Sequence, residues 1–480
     1  MGYFSGSMKI INFIREDWKL LCILTFIFCL YFYYTGTFDF FQKKNIKFMK
    51  PTIFLGNLGQ RIFAKKSFHA FQIHIYNYFK GNPYGGIFEG RRPVLYLLQP
   101  ELIKAVMIRD FEYFVDRNSL NSNEPRYLKQ SLLNLKGSEW KEVRSTITPA
   151  FSSSRLKNML PLIELCSKQM VKFLKQYDKS EVEMKDTMGH FTLEVIGACA
   201  FGIRCDALTD ENAHFIKVAE KFNHMPKLKR FFIFFMLMFM PKMLRYLNIS
   251  FLYAKSIDEL VRILKAAKSE RRESGVKKND FLQLLIDAAE KEKSESKDAK
   301  TKTYLDDDTI DAQSLLFLIA GYETSSTLLS FAIHVLATKP CLQSKLRDHI
   351  DGLTNGKKMS YELLGQLHYL EGFLLETLRK YPPVARVDRV CTKSYTLPGT
   401  SVQVNVGEVV AIPVYGMHMD PEYYPEPEDF RPERFTDEKK DRPSHLFLAF
   451  GVGPRNCIGL RFAMFSAKLA MVELLKNFKF

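Results

Sequence analysis

The chain has 480 residues and a net charge of +16, from 69 Lys and Arg against 53 Asp and Glu. Hydrophobic residues at 46% and charged residues at 25% are globular proportions and exclude a disordered chain, while 25 Gly and 20 Pro exclude a collagenous or low-complexity one. The positive charge is compatible with nucleic acid, an anionic membrane or an acidic protein partner and does not choose among them.

Residues 20–38 form an uncharged run of 19, LLCILTFIFCLYFYYTGTF. About 20 apolar residues cross a bilayer as a helix, and Tyr31, Tyr33 and Tyr34 sit at one end of the run, where amphipathic rings suit the headgroup region. No A-x-A cleavage site follows. Lys43, Lys44, Lys47 and Lys50 do follow, so the rest of the chain is expected on the cytoplasmic side. The reading is therefore a lumenal segment at 1–19, a transmembrane signal-anchor at 20–38, a basic linker at 39–52 and one large domain at 53–480.

Within that domain no repeat or Gly/Ser-rich linker breaks the chain. Short extended runs are expected near 87–98 and 391–413, where Gly and Pro punctuate β-branched residues. The apolar stretch at 231–241 is too short to span. Lys227, Lys229 and Arg230 precede it and Lys242 and Arg245 follow it, so a core helix and a segment dipping into the membrane interface both stand. Residues 291–308 read as an exposed, charged loop. A helix is predicted from about 309 to 338, with Asp306, Asp307 and Asp308 at its start and Pro340 past its end. It is apolar on nearly every face and should be interior. A second is predicted from about 361 to 380, capped by Ser360 and stopping before Pro382 and Pro383. Long helical patterns dominate elsewhere, so the fold class is mainly α with small β-sheets.

The eight cysteines are scattered without a C-x-x-C pair, which fits a reducing compartment and neither a disulfide scaffold nor a zinc ribbon. One differs from the rest. Cys457 lies in FGVGPRNCIG, just before a strongly helical tail, where a helix N-terminus should lower the thiol pKa. With Gly451, Gly453 and Gly459 permitting close approach of a flat ligand, such a thiolate suits a soft metal or haem iron. His368, His418 and His445 lie near the motifs and read as packing or hydrogen-bonding residues; no His pair suggests zinc.

The spacing F-x-x-G-x-R-x-C-x-G at Phe450, Gly453, Arg455, Cys457 and Gly459 resembles the haem-binding signature of the cytochrome P450 family. Four further segments agree in order. Ala320-Gly321-Tyr322-Glu323-Thr324 resembles the oxygen-activation motif and Glu376-Thr377-Leu378-Arg379 the E-x-x-R motif. Pro432-Glu433-Arg434-Phe435 is similar to P-E-R-F, and the segment from Trp140 to Arg144 to W-x-x-x-R, with Lys141 where Arg is frequent. The stretch after the anchor looks most like insect microsomal members that handle foreign lipophiles. The resemblance implies a cytochrome P450 fold behind one transmembrane helix.

The resemblance also implies roles. Cys457 would be the axial ligand of haem b, with Phe450, Gly453, Arg455 and Gly459 shaping its loop. Trp140, Arg144, Arg386 and Arg455 would face the haem propionates. Glu323 and Thr324 would relay protons, and Phe317, Ala320, Val384 and Ala385 would line the substrate pocket, with the 117–136 region and the 231–241 stretch near its mouth. Glu376, Arg379 and Arg434 would form a buried charge network supporting the cysteine loop. The implied activity is insertion of one oxygen atom from O2 into a lipophilic molecule, such as a plant toxin or insecticide. Electrons would come from NADPH through a separate flavoprotein, NADPH-cytochrome P450 reductase, with cytochrome b5 as an optional second partner, at the endoplasmic reticulum membrane. The alternatives are a reductase-independent haem-thiolate isomerase or dehydratase and a non-catalytic haem or ligand carrier. Nucleic acid is not expected as a partner, since no basic-aromatic stripe is present. Relatives continue several dozen residues further, so the resemblance implies a C-terminal end cut short at Phe480.

Overall fold

The structure, a computed structural model, describes residues 3–118, 126–177, 181–205, 207–208, 217–218, 232, 236, 254–278, 280–295, 304–436 and 443–480. The 231–241 stretch lies outside them except for Phe232 and Met236, and so does part of the 117–136 region.

Helix α1 runs from Tyr3 to Thr35, and Trp18–Thr35 within it is long and apolar enough to cross a membrane. Leu20, Leu21, Ile23 and Phe26 are more than half exposed, which sets α1 apart from a core helix. The helix stops at Thr35, three residues before the apolar run does. Residues 39–52, expected as a basic linker, belong instead to the folded domain. Phe41 and Ile46 are buried there, and Lys44 donates to Glu408 at 2.7 Å and to the Gln403 carbonyl at 2.9 Å.

Helix α2 (Phe68–Phe79) leads into strands β1 (Tyr84–Glu89) and β2 (Arg92–Leu97). Late in the chain come β3 (Val387–Val390), the short pair β4 (Tyr395–Thr396) and β5 (Gln403–Val404), and β6 (Val409–Ile412). One sheet has the order β1-β2-β6-β3, with β2 and β6 parallel and the other pairs antiparallel; β4 and β5 form a two-stranded sheet. These strands and α2 enclose a small core, including Ile75, Phe79, Ile87 and Val410. The end of the apolar helix packs on this unit. The Arg91 guanidinium lies 3.7 Å over the Tyr33 ring, Thr37 Oγ1 donates to the Arg91 carbonyl at 2.7 Å, and Phe38 packs on Phe88.

The larger core is helical. Its axis is α3 (Asp307–Thr338), whose first turn is capped by Asp306 accepting from the Thr309 N–H at 2.7 Å. Of residues 291–308, expected as a loop, 291–295 belong to the helix Phe281–Glu295 (α4) and 307–308 to α3, and 296–303 lie outside the described residues. Helix α5 (Met184–Ile196) packs so tightly on α3 that a Cβ on Gly321 would meet Ile196 Cδ1 at 2.4 Å. The predicted 361–380 helix is two: α6 (Tyr361–Gln366), capped by Ser360, and α7 (His368–Lys380). Leu367 breaks it with a ψ of 64° and is itself wholly buried. The C-terminal helix α8 (Leu460–Asn477) is buried on most faces and tied to α7 by Lys468 and Glu371 at 2.6 Å.

Helix α7 lies against the turn Pro432–Phe435 at Gly372, where a Cβ would come within 2.8 Å of the Pro432 carbonyl oxygen. Backbone cannot yield there as a flexible side chain would. Gly372→Ala is expected to destabilise the protein by about 1–3 kcal/mol as an overpacked contact, read as a lowered Tm in thermal unfolding.

Candidate active site

The fold encloses a cavity of about 660 Å³ between α3, the loop before α8 and β3. Cys457, Phe450, Gly459, Trp140, Arg144, Arg386 and Arg455 all line it, as do Thr324, Phe317, Ala320 and Val384. Residues more than 300 positions apart in sequence therefore meet at one site.

Cys457 sits two residues before the N-cap of α8, Gly459. Its own N–H donates to the Phe450 carbonyl at 2.8 Å, closing the loop. Cys457 is exposed, but to the cavity, with protein around it. The expected lowering of the thiol pKa does not hold in this state. Burial raises it, and the opposing pull of the Gly459 and Leu460 N–H groups and of Arg144 and Arg117 is smaller. Coordination to a metal would reverse that balance, since a coordinating thiol is deprotonated outright.

The glycines divide the work. Gly451 and Gly459 line the cavity, and Gly451 needs its φ of +69°. Gly453 does not line it. A Cβ there would stand 1.8 Å from the Met107 carbonyl oxygen, so this glycine admits backbone rather than ligand.

Five guanidinium groups line the cavity: Arg117, Arg144, Arg386, Arg389 and Arg455. The neighbouring carboxylates among the described residues are Asp388, Glu89 and Asp116, which leaves two positive charges over. Arg386 is already neutralised by Glu89 and by Asp388 at 3.2 Å. Arg455 donates to the Val115 and Leu135 carbonyls and stacks 4.8 Å over Trp140. Arg144 braces Asn456 through two bonds of 3.0 Å. Arg117 and Arg389 were not singled out in the sequence; the only signal for Arg389 is a charge at the buried position of a short strand. Burial, then Arg117 and Arg455, push the Arg389 guanidinium down to about 9, and burial with Arg117 does the same to Arg455. The Nε atoms of Arg117, Arg386, Arg389 and Arg455 and the indole Nε1 of Trp140 are buried without a hydrogen-bond partner. Unpaired donors and uncompensated charge are costly in a dry wall. A flat ligand carrying two carboxylates beside a thiolate-bound metal would satisfy both, so these residues fit a haem.

The expected proton-relay pair separates. Thr324 lines the cavity, and its hydroxyl donates to the Ala320 carbonyl at 2.7 Å. Glu323 does not line it and is not in an apolar setting. Lys185 of α5 donates to its carboxylate at 3.1 Å, and to Ser326 and Thr327 at 2.9 Å. Successive residues on a helix point about 100° apart, and of these two it is Thr324 that faces the cavity. Ala385 does not line the cavity: it is 2% exposed and its carbonyl accepts from the Tyr415 N–H. Phe317 is in the wall and packs on Phe281 and Phe151, with centroids 4.2 and 5.3 Å away.

The expected charge network is present. Arg379 meets Glu376 through two bonds of 2.7 and 2.8 Å, and Arg434 Nε lies 3.4 Å from the same carboxylate. All three residues are 2% exposed or less. Arg379 also donates to the carbonyls of His418 and Pro427.

Comparison with known proteins points the same way. The family model described as cytochrome P450 matches residues 47–480. The chain is 40% identical to cytochrome P450 9e2 of Blattella germanica, over 96% of this chain and 92% of that one. It is 34% identical to cytochrome P450 6k1 of the same organism, over 96% and 90%. With cytochrome P450 3A9 of Rattus norvegicus it shares 35%, over 98% and 92%.

Glu376→Ala would leave two buried guanidiniums facing each other. The expected loss is about 3–5 kcal/mol, with a fall in the fraction of purified protein that carries haem, measured by pyridine haemochrome against total protein.

Proposed function

The chain belongs to the cytochrome P450 family of haem-thiolate monooxygenases, and on that premise we propose that it oxidises lipophilic foreign molecules with electrons drawn from NADPH. Haem, when bound, supplies the activation of O2: with two electrons and two protons, one oxygen atom enters the substrate and the other leaves as water. The carrying observation is Cys457 at a helix start inside a cavity whose wall holds two uncompensated guanidinium charges.

Cys457 Sγ would hold the iron as thiolate, a ligand that favours O–O cleavage. Arg117, Arg389 and the Trp140 indole would take the haem carboxylates. Arg386 plays a smaller part than its position in the sequence implied, because Glu89 and Asp388 already occupy it. Thr324 Oγ1 presents its acceptor side to the cavity and holds a water there. Glu323, on the other side of α3, is held by Lys185 and sets the packing of α5 on α3 rather than meeting the cavity. Phe317, Ala320 and Val384 make that part of the wall apolar, which suits a lipophile such as a plant toxin or insecticide. Two cockroach P450s among the relatives support the insect reading.

Electrons come from NADPH-cytochrome P450 reductase, with cytochrome b5 able to assist. The chain's one G-x-G, Gly451-Val452-Gly453, belongs to the cysteine loop and not to a nucleotide site. A surplus of basic residues suits an acidic partner. The apolar helix Trp18–Thr35 anchors the protein in the endoplasmic reticulum membrane, with the domain on the cytoplasmic side.

A second reading has one observation behind it. Glu323 lies outside the cavity, and a reductase-independent isomerase or dehydratase needs no proton relay there.

Reduction under carbon monoxide should give the far red-shifted Soret band of thiolate ligation, and Cys457→Ala should abolish it. An unshifted band in the parent protein would overturn the ligand assignment. With that band in hand, oxygen consumption is expected only when NADPH and reductase are both added. Peroxide rearrangement without them would favour the isomerase.

A further inference from the structure

We propose that His418 is a positioning residue, a strut that carries the rigidity of the buried Glu376–Arg379 pair into the loop bearing Cys457. The inference rests on the reading of Cys457 as the iron ligand. His418 ends the short helix Val414–His418 and is wholly buried. Its two ring nitrogens reach in opposite directions. Nε2 lies 2.9 Å from the Leu448 backbone N and Nδ1 lies 3.2 Å from the Arg379 carbonyl oxygen.

Those partners fix the tautomer. A backbone N–H can only donate, so Nε2 accepts; a carbonyl can only accept, so Nδ1 carries the proton. The neutral ring is thus a two-ended connector with one arrangement. The link to Arg379 is reciprocal, because Arg379 Nη1 donates to the His418 carbonyl at 2.8 Å. Phe447 stacks on the imidazole with centroids 5.5 Å apart and planes 8° from parallel, and the Tyr424 ring meets it at 6.0 Å. The ring is held against rotation by these faces.

Leu448 is where the cysteine loop begins. Its carbonyl accepts from the Gly451 N–H at 2.9 Å, which sets the turn at the positive-φ Gly451. Two residues after Leu448, the Phe450 carbonyl accepts from the Cys457 N–H. A fixed Leu448 therefore fixes both ends of the loop, and a displaced one shifts the thiolate relative to the cavity. Glu376 and Arg379 do not touch the loop through this path except by way of His418.

Three substitutions separate the bond from the packing. Gln places an amide oxygen near the Nε2 position and keeps the acceptor for Leu448. Asn places its amide near Nδ1 and keeps only the link to Arg379. Phe keeps the ring and the stack and loses both bonds. The reduced, carbon monoxide-bound Soret band of each variant is recorded beside that of the parent and Cys457→Ala. His418→Gln should keep the red-shifted band. His418→Asn and His418→Phe should lose most of it to an unshifted band. A parent without the red-shifted band would sink the ligand reading itself. A parent with the band whose Phe variant keeps it would overturn the role of His418. Equal loss in Gln and Asn, including failure of both to fold or to take up haem, would also overturn it, since the two differ in the bond kept and not in burying an amide.

Discussion

A carboxylate with no access to water constrains everything around it. Glu376 is wholly buried, and a charge there is tolerable only if each lone pair has a donor. Arg379 supplies two, Arg434 lies beside it, and the Arg431 backbone N–H adds another at 3.0 Å. In meeting that demand the network draws together segments far apart in sequence. Helix α7 contributes Glu376 and Arg379, and the 426–434 stretch contributes Arg434 and the carbonyls of Pro427 and Glu426 that the two arginines donate to. Gly372 lets α7 approach that stretch closely enough for the charges to meet. The site is thus built on a foundation that never touches the cavity.

The cavity wall has the opposite electrostatic problem. Its guanidiniums outnumber the carboxylates that could neutralise them, and burial, then the like charges close by, push Arg389 and Arg455 down toward weaker protonation. Such a cluster costs stability in the folded chain, and an anionic ligand would offset that cost. The arginines are nonetheless not equivalent. Arg144 braces the loop at Asn456 and Arg386 is matched to acidic neighbours, yet the Nε atoms of Arg117, Arg386, Arg389 and Arg455 are all buried without a hydrogen-bond partner. Holding the fold and offering donors to a ligand therefore fall partly on the same members of one cluster.

The junction with the apolar helix is aromatic. Arg91 lies over Tyr33, Tyr34 packs against Phe54 and Phe38 against Phe88, so the end of α1 and the residues after it rest on the β1–β2 hairpin. Two of the lysines that follow are engaged within the protein, Lys43 with Asp39 and Lys44 with Glu408. Aromatic packing and a cation–π contact therefore join the apolar helix to the domain.

Much of this was legible in the chain itself, and the limits follow from what a sequence encodes. Caps and breaks are local chemistry, so the Asp306 and Ser360 caps and the helix after Cys457 could be read directly. So could the Glu376–Arg379 pair, because residues three apart on a helix are neighbours whatever surrounds them. What could not be read is direction around an axis. Glu323 and Thr324 are adjacent in the motif, yet the 100° step between them sends one into the cavity and the other to Lys185. Partners contributed by distant strands were equally invisible, which is why Arg386 looked available until Glu89 appeared beside it. His418 shows the same limit from the other side. A single histidine carries no spacing signal, and its importance arises only when the backbone of residue 379 and the backbone of residue 448 are brought to its two nitrogens. Function in this protein is thus written locally in the ligand and its loop, and non-locally in everything that holds them still.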